Sequence, residues 1–178
     1  MSLYALLKQN VDSIDIQQEK FNLEKFGIFT RGTIKDFIKG MVKSISKKLT
    51  KSSQFVEIRE SMNEKEHFKI FLQAKGNVRY FIITDGNYST SVANKLMGKL
   101  FESGSFDILI KEYNNWEDKD NLKKVEDELE KCHVVVMEGL SQVLDRGETL
   151  AELVEKSEHL SMQTKVLFKT AKKKNSCC

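Results

Sequence analysis

The residues able to do chemistry are few and poorly placed for it. His67, His133 and His159 have no metal-ligand spacing with one another or with Cys132. Each reads as a strand or helix-surface histidine, and Cys132 as a small core residue. Glu126, Asp127, Glu128 and Glu130 crowd one short stretch, which marks a solvated helix face rather than an acid/base pair. No GxxxxGK[ST] phosphate-binding loop is present, so a nucleotide hydrolase is not expected. The other two cysteines, Cys177 and Cys178, are adjacent, and a disulfide between neighbours is strained. Three cysteines so placed make no disulfide framework, and the expected compartment is the reducing cytosol. No enzyme, cofactor or metal is expected.

Composition narrows the class further. With 178 residues, 40% of them apolar and 31% charged, the chain can build one ordinary core plus an extension. A formal charge of +3, with basic and acidic residues interleaved, gives no sign of nucleic-acid binding. No run approaches the ~18 consecutive apolar residues that a membrane span needs. Met1-Ser2-Leu3-Tyr4 lacks the pattern of a secretory signal, and Ser2 stands where N-myristoylation needs glycine. Proline is absent, where average usage predicts roughly nine, so long uninterrupted helices are tolerated.

The first hundred residues mix strand and helix signals. Strand-like runs lie at Leu3 to Leu7, Ile14 to Gln17, and Phe26 to Phe29. Thr33 and Asp36 suggest a capping box, followed by Ile34, Phe37, Ile38, Met41, Val42, Ile45 and Leu49 at helical spacing. Val56 and Ile58 suggest another strand. Phe68, Ile70 and Leu72 alternate, Lys75-Gly76-Asn77 turns the chain, and Val78 to Thr84 is densely apolar, which predicts an antiparallel hairpin. Asp85-Gly86-Asn87 ends it, and a second helix presents Val92, Leu96, Met97 and Leu100. This order predicts an α+β domain with an antiparallel sheet, to which Ile108 to Tyr113 adds a short piece.

After a polar stretch, Asn114 to Asn121, the period changes. Leu122, Val125, Leu129, Cys132, Val136, Val143, Leu150, Leu153, Leu160, Leu167 and Ala171 follow steps of three and four, a 3.5-residue repeat over about seven heptads. Gly139, Ser157 and Thr164 are weak points of this seam, and they suit a bundle with unlike partners better than a symmetric coil. One straight helix here would be roughly 75–80 Å long. Ordering about 50 residues costs ~1–2 kcal/mol each, while the seam, fully buried, returns about 15–30 kcal/mol. Free of partners, the segment is therefore expected to be disordered or docked on the first domain, and helical only in a bundle. The same steps place Arg146 at the seam's centre, where a guanidinium needs several acceptors from other helices; the alternative is a surface arginine on a misread stripe.

Leu144-Asp145-Arg146-Gly147-Glu148-Thr149-Leu150-Ala151-Glu152-Leu153 resembles the centre of an R-SNARE motif. Lys156-Ser157-Glu158, Phe168-Lys169-Thr170-Ala171 and Asn175-Ser176-Cys177-Cys178 narrow the resemblance to the prenylated longin R-SNAREs of the Ykt type. Phe68 to Leu100, with Thr84-Asp85-Gly86-Asn87-Tyr88, is similar to the late strands and second helix of a longin domain. The implied organisation is a profilin-like longin domain over 1–113, a linker over 114–121, a coiled-coil SNARE motif over 122–174 and a lipidation tail over 175–178.

The resemblance implies that Arg146 meets glutamines of Qa, Qb and Qc SNARE helices in a central layer, flanked by Val143 and Leu150. Leu122, Val125, Leu129, Cys132, Val136, Gly139, Val143, Leu150, Leu153, Ser157, Leu160, Thr164, Leu167 and Ala171 would form the other layers. Cys178 would be prenylated and Cys177 acylated or prenylated, with Lys172, Lys173 and Lys174 adding attraction to an anionic leaflet. Fusion at Golgi, endosomal or vacuolar membranes, and disassembly by an adaptor and an ATPase, would follow. The chain departs from the family in three places. It stops at Cys178, where the family's prenylation box has three more residues, as in a truncated or processed chain; a reading frame that ends in two cysteines would instead suggest Rab-like double geranylgeranylation. Gly40 stands where the family carries an aromatic, one turn after Phe37, that helps the longin domain hold its own SNARE segment. The connection between longin domain and SNARE motif is short. The rival reading is a longin-type trafficking adaptor or tether subunit with a helical tail; a homotypic coiled coil is disfavoured by the weak seam positions.

Overall fold

A computed structural model gives the fold and describes residues 2–49, 53–61, 67–103, 105–114 and 134–139. In chain order its elements are β1 (Leu3–Asn10), β2 (Ile16–Phe21), α1 (Ile28–Lys48), β3 (Phe55–Ser61), β4 (His67–Lys75), β5 (Val78–Asp85), α2 (Thr90–Ser103), α3 (Phe106–Asn114) and β6 (Val134–Glu138). The chain divides into two compact units, residues 1–22 with 51–139 and residues 23–50 with 140–178.

The first unit holds a six-stranded sheet in the order β2-β1-β5-β4-β3-β6. Its strongest sequence signal is its centre: β4 and β5 form the expected antiparallel hairpin, with Lys75 opposite Val78. Gly76 turns the chain with φ +61°, a conformation that side chains other than glycine resist. The fold is α+β and longin-like, and β1 to β5 pair antiparallel throughout.

Period 2 decides which side chains face the helices. Leu6, Phe71, Tyr80, Ile82 and Phe55 cluster with Val92, Ala93, Leu96, Met97 and Leu100 of α2 and with Phe106, Leu109, Ile110 and Tyr113 of α3. Each such large side chain removed from water contributes roughly 1.5–3 kcal/mol. Tyr80 meets Phe101 edge-on with ring centroids 4.9 Å apart, and Phe55 stacks on Phe71 at 5.7 Å. The buried Tyr88 hydroxyl donates to the Tyr113 carbonyl at 2.9 Å and ties the start of α2 to the end of α3. On the other face of the sheet Ala5, Leu7, Ile58, Ile70, Leu72, Phe81 and Ile83 are buried too, so residues 80–83 of β5 read as a continuous apolar run.

Gly86 ends the hairpin at a close approach. Its N–H donates to the His67 carbonyl at 2.8 Å, and a Cβ there would lie 2.6 Å from His67 Cβ. Gly86→Ala is therefore expected to destabilise the chain by about 1–3 kcal/mol through overpacking. Denaturant unfolding checks this: the midpoint falls while the slope stays unchanged.

In the second unit the described residues are 23–49. Helix α1 buries Phe37, Ile38, Met41, Val42, Ile45 and Ser46, one face at spacings of one, three and four. Two expectations fail at its start. Phe26 to Phe29 is not a strand, since the helix opens at Ile28; and Thr33 does not cap, since it lies inside the helix. The cap is Gly27, with no side-chain cap bond. Instead Arg31 reaches back, Nε to the Phe26 carbonyl at 2.9 Å and Nη2 to the Glu24 carbonyl at 3.0 Å, and fastens the preceding turn. At the far end Lys47 and Lys48 suit the negative pole of the helix dipole.

Candidate functional site

The functional question centres on the outer edge of β3, because a piece of the expected coiled coil lies there. Val134-Val135-Val136 is a run of β-branched residues with high strand propensity. As β6 it pairs parallel to β3, with Phe55 opposite Val134, Glu57 opposite Val136 and Arg59 opposite Glu138. Gly139 ends the strand at φ +90°, and its N–H donates to the Arg59 carbonyl at 2.7 Å. Val134 packs against the core cluster under α2 and α3. The strand satisfies backbone groups that an open edge would leave for other chains to find.

In the free chain residues 134–138 form a strand, where the segment is expected to be disordered or docked without partners; the seam expected of Val136 and Gly139 belongs to the bundle. Val136 lies on a strand and is 44% exposed. Docking on the first domain without partners is what the entropy argument anticipated.

Charge reinforces the edge. Glu57, Arg59, Val134, Val136 and Glu138 project to one face of the sheet by their register. Glu57 is fully buried. Its carboxylate accepts from the Thr90 hydroxyl at 2.6 Å and from Arg59 Nε at 2.7 Å, and Lys69 Nζ lies 3.6 Å away. Burial pushes the Glu57 carboxyl up, but the bonds from Thr90 and Arg59 and the charges of Lys69 and Arg59 outweigh it and hold it below its ordinary range. Thr90 opens α2, whose positive pole also favours an anion. Arg59 then extends Nη1 to Glu138 Oε1 at 3.0 Å. Bonding to Glu57 in turn raises the Arg59 guanidinium further. Sequence reasoning found none of this network; its only visible signal was the valine run ending at Gly139.

The remaining site residues named from sequence lie outside the described residues: Leu122, Val125, Leu129, Cys132, Val143, Arg146, Leu150, Leu153, Ser157, Leu160, Thr164, Leu167, Ala171, Cys177 and Cys178. So do Lys172, Lys173 and Lys174. Among the described residues no helix is long and apolar enough to cross a membrane, and no cluster of three potential metal ligands occurs.

Comparison with known proteins decides the family. The synaptobrevin family matches residues 121–177. The synaptobrevin homolog YKT6 of Debaryomyces hansenii is 30% identical over 179 residues, covering 88% of this chain and 87% of the relative. This chain belongs to the YKT6 family of synaptobrevin homologs. The relative from Schizosaccharomyces pombe is 26% identical and covers 100% of this chain and 98% of its own length. That from Saccharomyces cerevisiae is 27% identical, with 88% and 87% covered. As a Ykt-type R-SNARE the chain acts in vesicle trafficking, and its partners are other SNAREs. In this chain the β3 edge pairs with part of the region that matches the synaptobrevin family, since residues 134–138 fall within 121–177.

Proposed function

We propose that this chain is a lipid-anchored fusion R-SNARE that contributes one helix to a four-helix bundle with Qa, Qb and Qc SNAREs. The observation that carries the reading is the synaptobrevin match over 121–177, which spans the whole 3.5-residue seam from Leu122 to Ala171 with Arg146 at its centre. Arg146 is the central-layer arginine and binds a glutamine from each partner. Val143 and Leu150 shield that layer from water, which strengthens its hydrogen bonds. Zippering from Leu122 towards Ala171 draws together the membranes that carry the two sides. Cys177 and Cys178 carry the lipids, on the cytosolic face of Golgi, endosomal or vacuolar membranes. Two lipids suit the task because one chain gives only marginal, reversible binding. An adaptor and an ATPase then separate the spent complex, and the chain itself catalyses nothing.

The test mixes the purified soluble chain with Qa, Qb and Qc helices and follows helicity and SDS resistance. A large gain in helix that requires all three partners is expected. No gain with any set, together with a tail that stays helical and self-associates, would favour the adaptor or tether reading.

A further inference from the structure

We propose that the tip of α1, built by Ile28 and Phe29 with Lys25 beside them, is a membrane-contact site that inserts into the interface of an anionic leaflet. The inference rests on the lipid-anchored reading above and deepens it by adding a contact between the folded protein and the membrane.

Among the described residues the two most exposed large apolar side chains are neighbours: Phe29 is 99% exposed and Ile28 77%. Single apolar residues on a surface are ordinary, whereas an adjacent pair in the first turn of a helix makes a wedge. The wedge is held in shape. Arg31 fastens the preceding turn through the Phe26 and Glu24 carbonyls, and the Thr30 and Arg31 N–H groups donate to the Gly27 carbonyl at 2.9 and 3.2 Å. Little backbone freedom is left to lose when the pair leaves water, which favours binding.

Charge selects a leaflet as the partner. The first turn of α1 holds no acidic residue and Gly27 supplies no side-chain cap, so no carboxylate there offsets the positive pole of the helix dipole. Lys25 is exposed at the same end. Along its length α1 carries six cations, Arg31, Lys35, Lys39, Lys43, Lys47 and Lys48, against the anion Asp36. Glu24, exposed near the tip, also opposes this field and is outnumbered. The helical period sets Lys47 about five full turns after Phe29, on the side opposite the buried face, with Lys43 one turn earlier beside the same line. An acidic protein surface would answer the cations alone. A leaflet answers both features, the cations through its headgroups and the apolar pair through its acyl chains, and such contacts strengthen with buried apolar area and with anionic charge. Two side chains are too few to recruit the protein by themselves, but on an anchored chain they act at high local concentration.

The experiment uses the full chain with Trp116→Phe and Phe29→Trp, which moves its single tryptophan to the wedge. With Cys132→Ser added, the chain is coupled through Cys177 and Cys178 to a maleimide lipid in phosphatidylcholine vesicles that contain about 30% phosphatidylserine. Tryptophan emission should shift to the blue and be quenched by lipids brominated on their acyl chains. In the uncoupled chain, Phe29→Ser is expected to lower partitioning onto the same vesicles about ten-fold, the effect of one large apolar side chain. Lys25→Glu should lower it about five-fold or more, and only where phosphatidylserine is present. Thermal unfolding of both variants should match the unmodified chain, because both side chains are exposed, and this separates membrane contact from folding. An unshifted, unquenched tryptophan on the coupled anionic vesicles overturns the proposal. So does a shift that follows protein concentration without vesicles, which would assign the wedge to a second copy of the chain. The coupling is chemical and does not depend on the native lipids. Loss of the lipid-anchor reading would therefore show in cell fractionation, while failure of the wedge would show only here.

Discussion

Replacing both Cys177 and Cys178 with serine, in the protein expressed from its own gene, is expected to move it from the membrane pellet to the soluble fraction. The reasoning is additive. Each buried methylene of a lipid contributes about 0.8 kcal/mol, yet a single chain binds only marginally and reversibly. Lys172, Lys173 and Lys174 add about 1 kcal/mol each near an anionic leaflet, which is too little to hold a chain of this size alone. Either single variant, Cys177→Ser or Cys178→Ser, should leave a protein that exchanges on and off membranes, because one lipid chain binds only marginally. Fractionation of cells carrying each variant checks the series. A double serine variant that still sediments with membranes would remove the lipid-anchor reading.

The second large effect concerns Arg146. In the bundle proposed above its guanidinium would be buried against three glutamines, and truncation would leave their amides without a donor. Arg146→Ala is expected to destabilise the assembled complex by about 1–3 kcal/mol for each buried amide oxygen left without a donor. The loss should be seen as a lower unfolding temperature of the complex, with little change in the free chain. Replacing the arginine and the glutamines together with apolar residues should recover much of the stability, because a well-packed apolar layer can match a buried ionic one. Equal stability of the complexes with and without Arg146→Ala would mean that this arginine lies on the surface of the helix.

Much of the first unit was legible because local pattern and tertiary role agree there. Phe68, Ile70 and Leu72 alternate, Gly76 takes the turn, and the strands pair as the alternation requires. The start of α1 was misread for a specific reason. Phe26, Ile28 and Phe29 look like strand residues, yet Ile28 and Phe29 are 77% and 99% exposed in the first helical turn, so apolar character there does not report burial. The helix also opens on Gly27 without a side-chain cap, while the fastening comes from Arg31. No capping pattern could reveal that.

Residues 132–139 show a deeper limit. Cys132, Val136 and Gly139 fit the step of the seam, while Val134-Val135-Val136 fits a strand. The same letters satisfy two periods. Which one is realised depends on what is available to pair with, a β3 edge or three partner helices, and that is not encoded locally. The Arg59–Glu138 contact spans 79 positions, beyond any spacing rule. The one part that could be anticipated was energetic: a lone helix of this length buries too little, so some of it had to dock or remain disordered.

The direction of β6 has a mechanical consequence. If the helix grows from Leu122, as the zippering proposed above requires, it would reach Val134 first and Glu138 last, and would peel the strand from β3 one rung at a time, as a zip fastener opens, rather than shear all its hydrogen bonds at once. Peeling loads a single rung at each step and needs little force. The firmest holdings, the Arg59–Glu138 pair and the Gly139 N–H on the Arg59 carbonyl, lie at the end that is reached last. Release would begin easily and meet its largest resistance late, so a false start that stops short of Glu138 can close again.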